Sequence, residues 1–142
     1  MRAVPTLSKP ACVLLVDDHP AVLRQTAELL SGEFRVAATL HDGAQLAAAV
    51  AEYRPDLLVL DITLPGASGL ELARRLQANP RTPRIVFLTV HSDADYVRAA
   101  LEAGAIGYVV KARLASDLLP ALRAALEGRR FISPICSLEE SA

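Results

Sequence analysis

Several features that would assign a chain to a specialised class are missing from these 142 residues. There is no charge excess. Fifteen Lys and Arg against 16 Asp and Glu give a formal net charge of -1 and a pI near 6.3, without the basic surplus of a nucleic-acid or anionic-membrane binder. Direct DNA binding by this chain is therefore not expected. There is no cysteine framework either: Cys12 and Cys136 stand far apart, with neither C-x-x-C nor zinc spacing, and both are expected as unpaired reduced thiols. No apolar run approaches the ~20 residues that cross a bilayer, and residues 1–10 hold no long apolar stretch. A cytoplasmic protein is expected. Internal repeats and low-complexity tracts are also lacking. What remains, 52% hydrophobic and 22% charged, suits one soluble domain with a substantial core.

What the chain does have is a recurring junction. Val13–Val16 runs into Asp17 and Asp18, Leu57–Leu60 into Asp61, Ile85–Leu88 into Thr89, and Tyr108–Val110 into Lys111. Short apolar runs separated by helical patterns read as buried parallel strands. Strands are expected at about 12–16, 34–38, 57–60, 85–88 and 107–110, the second being weak. The first helix starts at Pro20, with Val22, Thr26, Leu29 and Leu30 on one face, and stops at Gly32. Leu46, Val50 and Tyr53 mark the second, ended by Pro55. Ser68 is placed to cap the third, which carries Leu72, Ala73 and Leu76. The fourth, about 93–103, has few large apolar residues beyond Val97 and Leu101 and is expected to be the loosest. Ser116 is expected to cap the fifth, with Leu118, Leu119, Leu122 and Leu126 as its stripe and Pro120 near its first turn. The domain is placed at 11–130, with 1–10 an N-terminal extension and 131–142 a polar C-terminal tail or truncated linker without a partner.

Five β-α units with right-handed crossovers point to an α/β fold: a flavodoxin-like, doubly wound, five-stranded parallel sheet in the order 2-1-3-4-5, with helices on both faces. Its switch point lies between strands one and three, where Asp17, Asp18 and Asp61 would meet. Three such carboxylates repel one another without a cation. Oxygen ligands on a small rim favour Mg²⁺, whose natural companion is phosphate. An Asp carboxylate can then attack a phosphoryl donor, with Lys111 and the Thr89 hydroxyl binding the transferred oxygens.

These residues resemble the receiver domains of two-component response regulators. The carriers are Val16-Asp17-Asp18-His19-Pro20, Asp61-Ile62-Thr63-Leu64-Pro65-Gly66 with Gly69, Thr89, and Gly107-Tyr108-Val109-Val110-Lys111. The resemblance implies Asp61 as phosphoacceptor from a sensor histidine kinase, and Mg²⁺ held by Asp17, Asp18, Asp61 and the Thr63 backbone carbonyl. It implies Thr89 and Lys111 as phosphoryl ligands, and Thr63 and His91 at the pocket mouth. Tyr108 would be the rotamer switch, its ring filling the space that Thr89 vacates. A receiver promotes its own phosphorylation and dephosphorylation and switches a surface of helix 4, strand 5 and helix 5. That face would be read in a phospho-dependent homodimer or by a separate output protein. The Asp-Asp-His-Pro and Gly-Tyr-Val-Val-Lys segments look most like receivers that precede a LuxR-type helix-turn-helix domain.

Two positions depart from the pattern. Ala112 stands where the family often has a Pro with a cis bond, so Lys111–Ala112 is expected to be trans. Val90 is bulkier than the small residue usual after the hydroxyl position and is expected to crowd the pocket. His19 and His91 have no partners at metal-ligand spacing, which argues against a transition-metal site. A haloacid-dehalogenase-type phosphatase would need a second Asp where Thr63 stands. An FMN binder would need a Ser/Thr/Gly-rich loop where Asp17 and Asp18 stand. The remaining alternative is a receiver-shaped scaffold that works without phosphorylation; its usual mark, loss of the acceptor, the acidic pair or the Lys, is absent.

Overall fold

The structure, a computed structural model, describes residues 9–134, so Cys136 and most of the N-terminal extension lie outside the described residues. Strand and helix alternate: β1 (Cys12–Val16), α1 (Pro20–Leu30), β2 (Arg35–Leu40), α2 (Leu46–Tyr53), β3 (Leu57–Leu60), α3 (Gly69–Leu76), β4 (Arg84–Thr89), α4 (Ala94–Glu102) and β5 (Gly107–Val110). A 3₁₀ turn (Lys111–Arg113), α5 (Leu114–Leu126) and β6 (Phe131–Ile132) follow. All strand pairings are parallel, and the sheet runs β2-β1-β3-β4-β5-β6.

The order 2-1-3-4-5 is present, but the expected five-stranded sheet has a sixth strand. Phe131 and Ile132 pair with Gly107 and Tyr108, so the tail is not without a partner. A terminal β5 would leave a row of backbone donors and acceptors open, and two apolar residues after the turn at Gly128 (φ 77°) cover it. Two residues are too few for a periodicity to reveal in sequence.

Alternation along each strand divides the interior. Leu14, Val16, Leu58, Leu60, Ile85, Phe87, Tyr108 and Val110 face α2, α3 and α4. Val13, Leu15, Leu57, Val59, Val86, Leu88 and Val109 face α1 and α5. Both sheet faces are covered, which is why the strands read as unbroken apolar runs. β2, outermost at one edge and only partly buried, is the strand that read weakly.

Helix ends follow local chemistry. Pro20 opens α1, and the Ser68 side chain accepts from the Glu71 N–H at 3.3 Å to cap α3. α4 buries only Val97 and Ala100 within its span. α5 departs from expectation. It begins at Leu114, and Ser116 is not its cap but lies in its first turn, bonded to the Arg113 carbonyl and Asp117. Pro120 consequently sits inside the helix, at the loss of one backbone bond. Leu126 is 43% exposed and leaves the core stripe, which Leu114, Leu118, Ala121, Leu122 and Ala125 form instead.

Candidate functional site

The sheet delivers its chemistry at one rim. Asp17 and Asp61 follow β1 and β3 directly, and their backbones continue the sheet: Asp17 N–H donates to Leu40 O at 3.0 Å and Asp61 N–H to Val16 O at 3.1 Å. Both carboxylates are buried. Lys111, directly after β5, extends between them, its Nζ 2.8 Å from Asp17 Oδ2 and 2.9 Å from Asp61 Oδ2. Burial of the ammonium acts to lower its pKa. The hydrogen bonds and charges of Asp17 and Asp61 outweigh this, and the pKa stands above the ordinary lysine value.

His19 joins the group, contrary to the reading that it lacked partners. Its Nδ1 lies 3.0 Å from Asp17 Oδ1 and 3.1 Å from Asp18 Oδ1, and Asp17, Asp18, His19 and Asp61 each offer a ligand atom within 4.8 Å of the others. Asp17 and Asp18 are its neighbours in sequence, and Asp61 is brought to the three only by the pairing of β1 with β3.

The loop after Asp61 is held close to it. Gly69 N–H donates to Ile62 O at 2.7 Å, and a Cβ on Gly69 would lie 2.0 Å from the Asp61 carbonyl oxygen. Only glycine fits there. Thr63 N–H points toward Asp61 Oδ1 at 3.4 Å, and Thr63 Oγ1 pairs with His91 Nε2 at 2.9 Å. These two side chains thus bridge the loops after β3 and β4. The His91 ring stacks on Tyr96 at a 4.0 Å centroid separation.

Thr89 closes β4, fully buried, and its Oγ1 has no hydrogen-bond partner among the described residues. A buried hydroxyl without a partner is costly. Val90, the residue after β4, is 66% exposed. The Tyr108 ring is fully buried, packed near Phe87, and its hydroxyl donates to the His91 carbonyl at 2.8 Å. Lys111–Ala112 is trans, as expected, and enters the 3₁₀ turn.

A second polar cluster behind Lys111 went unread in the sequence. Buried Asp117 accepts from Arg113 Nε at 2.8 Å, Ser133 Oγ at 2.8 Å and Ser116 Oγ at 3.0 Å. Burial alone would raise the carboxyl pKa. The Arg113, Ser133 and Ser116 hydrogen bonds reverse that and hold it below the ordinary value. The i, i+4 spacing of Arg113 and Asp117 was the available signal.

The profile of the response regulator receiver domain matches residues 13–123. Among curated proteins, the DNA-binding response regulator MtrA of Mycolicibacterium smegmatis is 40% identical over 114 residues, covering 80% of this chain and 50% of its own length. The transcriptional activator protein ExaE of Pseudomonas putida is 37% identical over 123 residues, covering 84% of this chain and 57% of its own length. The chain spans about half the length of such relatives. Among solved structures, a LuxR-family two-component response regulator from Aurantimonas sp. SI85-9A1 superposes with a TM-score of 0.88 at 34% identity, covering 94% of this chain and 98% of that one. The receiver domain of the putative response regulator NarL from Mycobacterium tuberculosis gives 0.81 at 26%, covering 86% of this chain and all of that one. No helix among the described residues is long and apolar enough to cross a membrane. With its sheet, its acidic rim and the profile in agreement over one stretch of sequence, the chain belongs to the response regulator receiver domain family of two-component systems.

Proposed function

We propose that this receiver accepts a phosphoryl group on Asp61 from a sensor histidine kinase, with Mg²⁺ bound beside it, and converts the gain of charge into a change at α4, β5 and α5. The supporting observation is Lys111 Nζ held between two buried carboxylates, Asp17 and Asp61, with the Thr89 hydroxyl, which has no partner among the described residues, at the end of the adjoining strand.

The donor set fits a divalent cation. Asp17, Asp18 and Asp61 carry three negative charges where Lys111 supplies one positive charge, and the Thr63 backbone carbonyl would complete the ligand set. Bound there, Mg²⁺ would neutralise the carboxylates and the oxygens of the incoming group. An Asp61 carboxylate oxygen attacks phosphorus; the P–N bond of the donor phosphohistidine breaks, and its electron pair leaves with the imidazole. Lys111 and Thr89 bind the transferred oxygens. The same groups serve small phosphoryl donors and the reverse attack by water, so the chain promotes its own phosphorylation and dephosphorylation. Water reaches phospho-Asp61 past the Thr63–His91 bridge.

Phosphorylation adds roughly two negative charges at the rim. Thr89, drawn toward them, lies two residues from His91, whose carbonyl holds Tyr108. Movement of this loop reaches α4, which buries only Val97 and Ala100 within its span, and Tyr108 responds as the switch through the His91 hydrogen bond. The surface would be read by a second receiver or by an output module. DNA contact would belong to that module, since the net charge of -1 supplies no basic surplus. Incubation with Mg²⁺ and acetyl phosphate, followed by intact mass, tests the assignment: one labile phosphoryl group is expected, and no gain in mass would reject it. Hydrogen exchange with beryllofluoride should change mainly within residues 89–112, whereas changes confined to the Asp17, Asp18 and Asp61 loops would reject transmission.

A further inference from the structure

Lys111 has an unusual anchorage for a side chain that must present its ammonium at a fixed point. The peptide after it is an ordinary trans bond to Ala112, and the 3₁₀ turn it starts is three residues long with poor intrinsic hydrogen bonding. The chain around Lys111 is nevertheless tied to one buried carboxylate, through a backbone amide before it and through the Arg113 side chain after it. On the N-terminal side, Val110 N–H donates to Ser133 Oγ at 3.2 Å, and Ser133 Oγ donates to Asp117 Oδ2 at 2.8 Å. On the C-terminal side, Arg113 Nε donates to the same Asp117 Oδ2 at 2.8 Å. Ser133 is itself fixed, its N–H donating to Tyr108 O at 2.9 Å as β6 closes on β5. Ser133 and Asp117 are 1% and 4% exposed, so water does not substitute for these bonds.

We propose that Asp117 and Ser133 are positioning residues for Lys111, clasping the chain before and after it so that its ammonium meets the phosphoryl group. This rests on the reading that Lys111 binds that group. A lysine carries a long flexible stem, and fixing the backbone that launches it removes much of the disorder that would otherwise oppose binding. β6 thereby has a task beyond covering an edge: it brings Ser133 to the last amide of β5. The clasp does not touch Asp17, Asp18 or Asp61, and it should act on phosphoryl binding while leaving metal binding alone.

Two variants test this, Ser133→Ala, which keeps Asp117 paired with Arg113 and Ser116, and the milder Arg113→Gln. With folding checked by circular dichroism, beryllofluoride affinity in Mg²⁺ should fall roughly three- to tenfold in Ser133→Ala, the worth of one hydrogen bond, and less in Arg113→Gln. Mg²⁺ affinity without beryllofluoride should match the parent. In a Lys111→Ala background the Ser133→Ala loss should disappear, since the two changes act through one side chain. Parent-like beryllofluoride affinity in both variants, or a loss that persists in full without the lysine, overturns the proposal. If Ser133→Ala fails to fold, Arg113→Gln and its Lys111→Ala double variant decide. A parent that takes up no beryllofluoride would reject the phosphoryl reading itself. The clasp is then judged on the Lys111 side-chain NMR signal of the unliganded protein, expected to move toward a free-lysine position in both variants; an unmoved signal overturns it.

Discussion

Two buried carboxylate clusters lie on either side of Lys111, and they are built on opposite terms. At the rim, Asp17 and Asp61 share a single ammonium, Asp18 adds a third negative charge, and the Thr89 hydroxyl has no partner among the described residues. Behind it, Asp117 alone receives a guanidinium and two hydroxyls. Burying a charge is costly unless its hydrogen-bonding capacity is met. The Asp117 cluster meets it from within the chain. The rim does not, and its deficit has one sign: it lacks positive charge and a group for Thr89 to bind. A phosphoryl group with a divalent cation supplies both.

The comparison breaks most severely at Asp61. Asp61→Asn keeps the shape and removes the nucleophile, so intact mass after acetyl phosphate and Mg²⁺ should show complete loss of phosphorylation with the fold retained. Uptake at the parental rate would remove Asp61 from the acceptor position. Lys111→Ala comes next: it removes the charge shared by Asp17 and Asp61, and beryllofluoride affinity should fall roughly 10- to 100-fold, as for hydrogen bonds to charged groups, while metal binding persists. Unchanged affinity would leave the rim without its phosphoryl cation.

Asp117→Asn examines the satisfied cluster instead, and its readout is stability. Replacing the carboxylate leaves Arg113 without a counter-charge and should cost about 1–3 kcal/mol in denaturant unfolding at neutral pH. The sign of its pH dependence follows from its depressed pKa. A folded-state carboxyl titrating below its unfolded value contributes stability that is fully present above the unfolded value and lost as pH falls through the folded one. The gap between parent and variant should therefore close on acidification; a gap independent of pH would show that Asp117 acts by shape alone. The smallest effect is expected at the mouth. His91→Ala and Thr63→Ala each remove the bridge between the two loops, and each should change the half-life of phospho-Asp61 a few-fold without altering Mg²⁺ affinity. His91→Ala retains the backbone carbonyl that holds Tyr108, so lifetime and switching separate; equal half-lives across parent and variants would take both side chains out of the path of water.

What was legible in sequence, and what was not, divides along the same line. Asp17, Asp61, Thr89 and Lys111 could be read because each ends a strand whose apolar run is buried, and such a run stops where the chain meets the rim. Ser68 could be read as a cap because capping is settled within four residues. β6, by contrast, is two residues long and has no period, and Ser116 resembles a cap until Asp117 claims it. His19 turns its ring onto Asp17 and Asp18, its neighbours in sequence, and Tyr108 turns its hydroxyl onto the His91 carbonyl of another loop; these are rotamer choices that spacing does not record.

The sequence by itself determined the alternation of strand and helix, the order of the first five strands and the residues carried to the rim, because hydrophobic period, turn chemistry and right-handed crossover are local or nearly local constraints. Only the tertiary structure decided which way each polar side chain turned: Lys111 between Asp17 and Asp61, Tyr108 inward to the His91 carbonyl, and Ser133 onto Asp117. Those choices depend on which buried donors and acceptors meet across tens of residues of chain. A buried polar group is governed by its neighbours in space, and sequence distance does not record them.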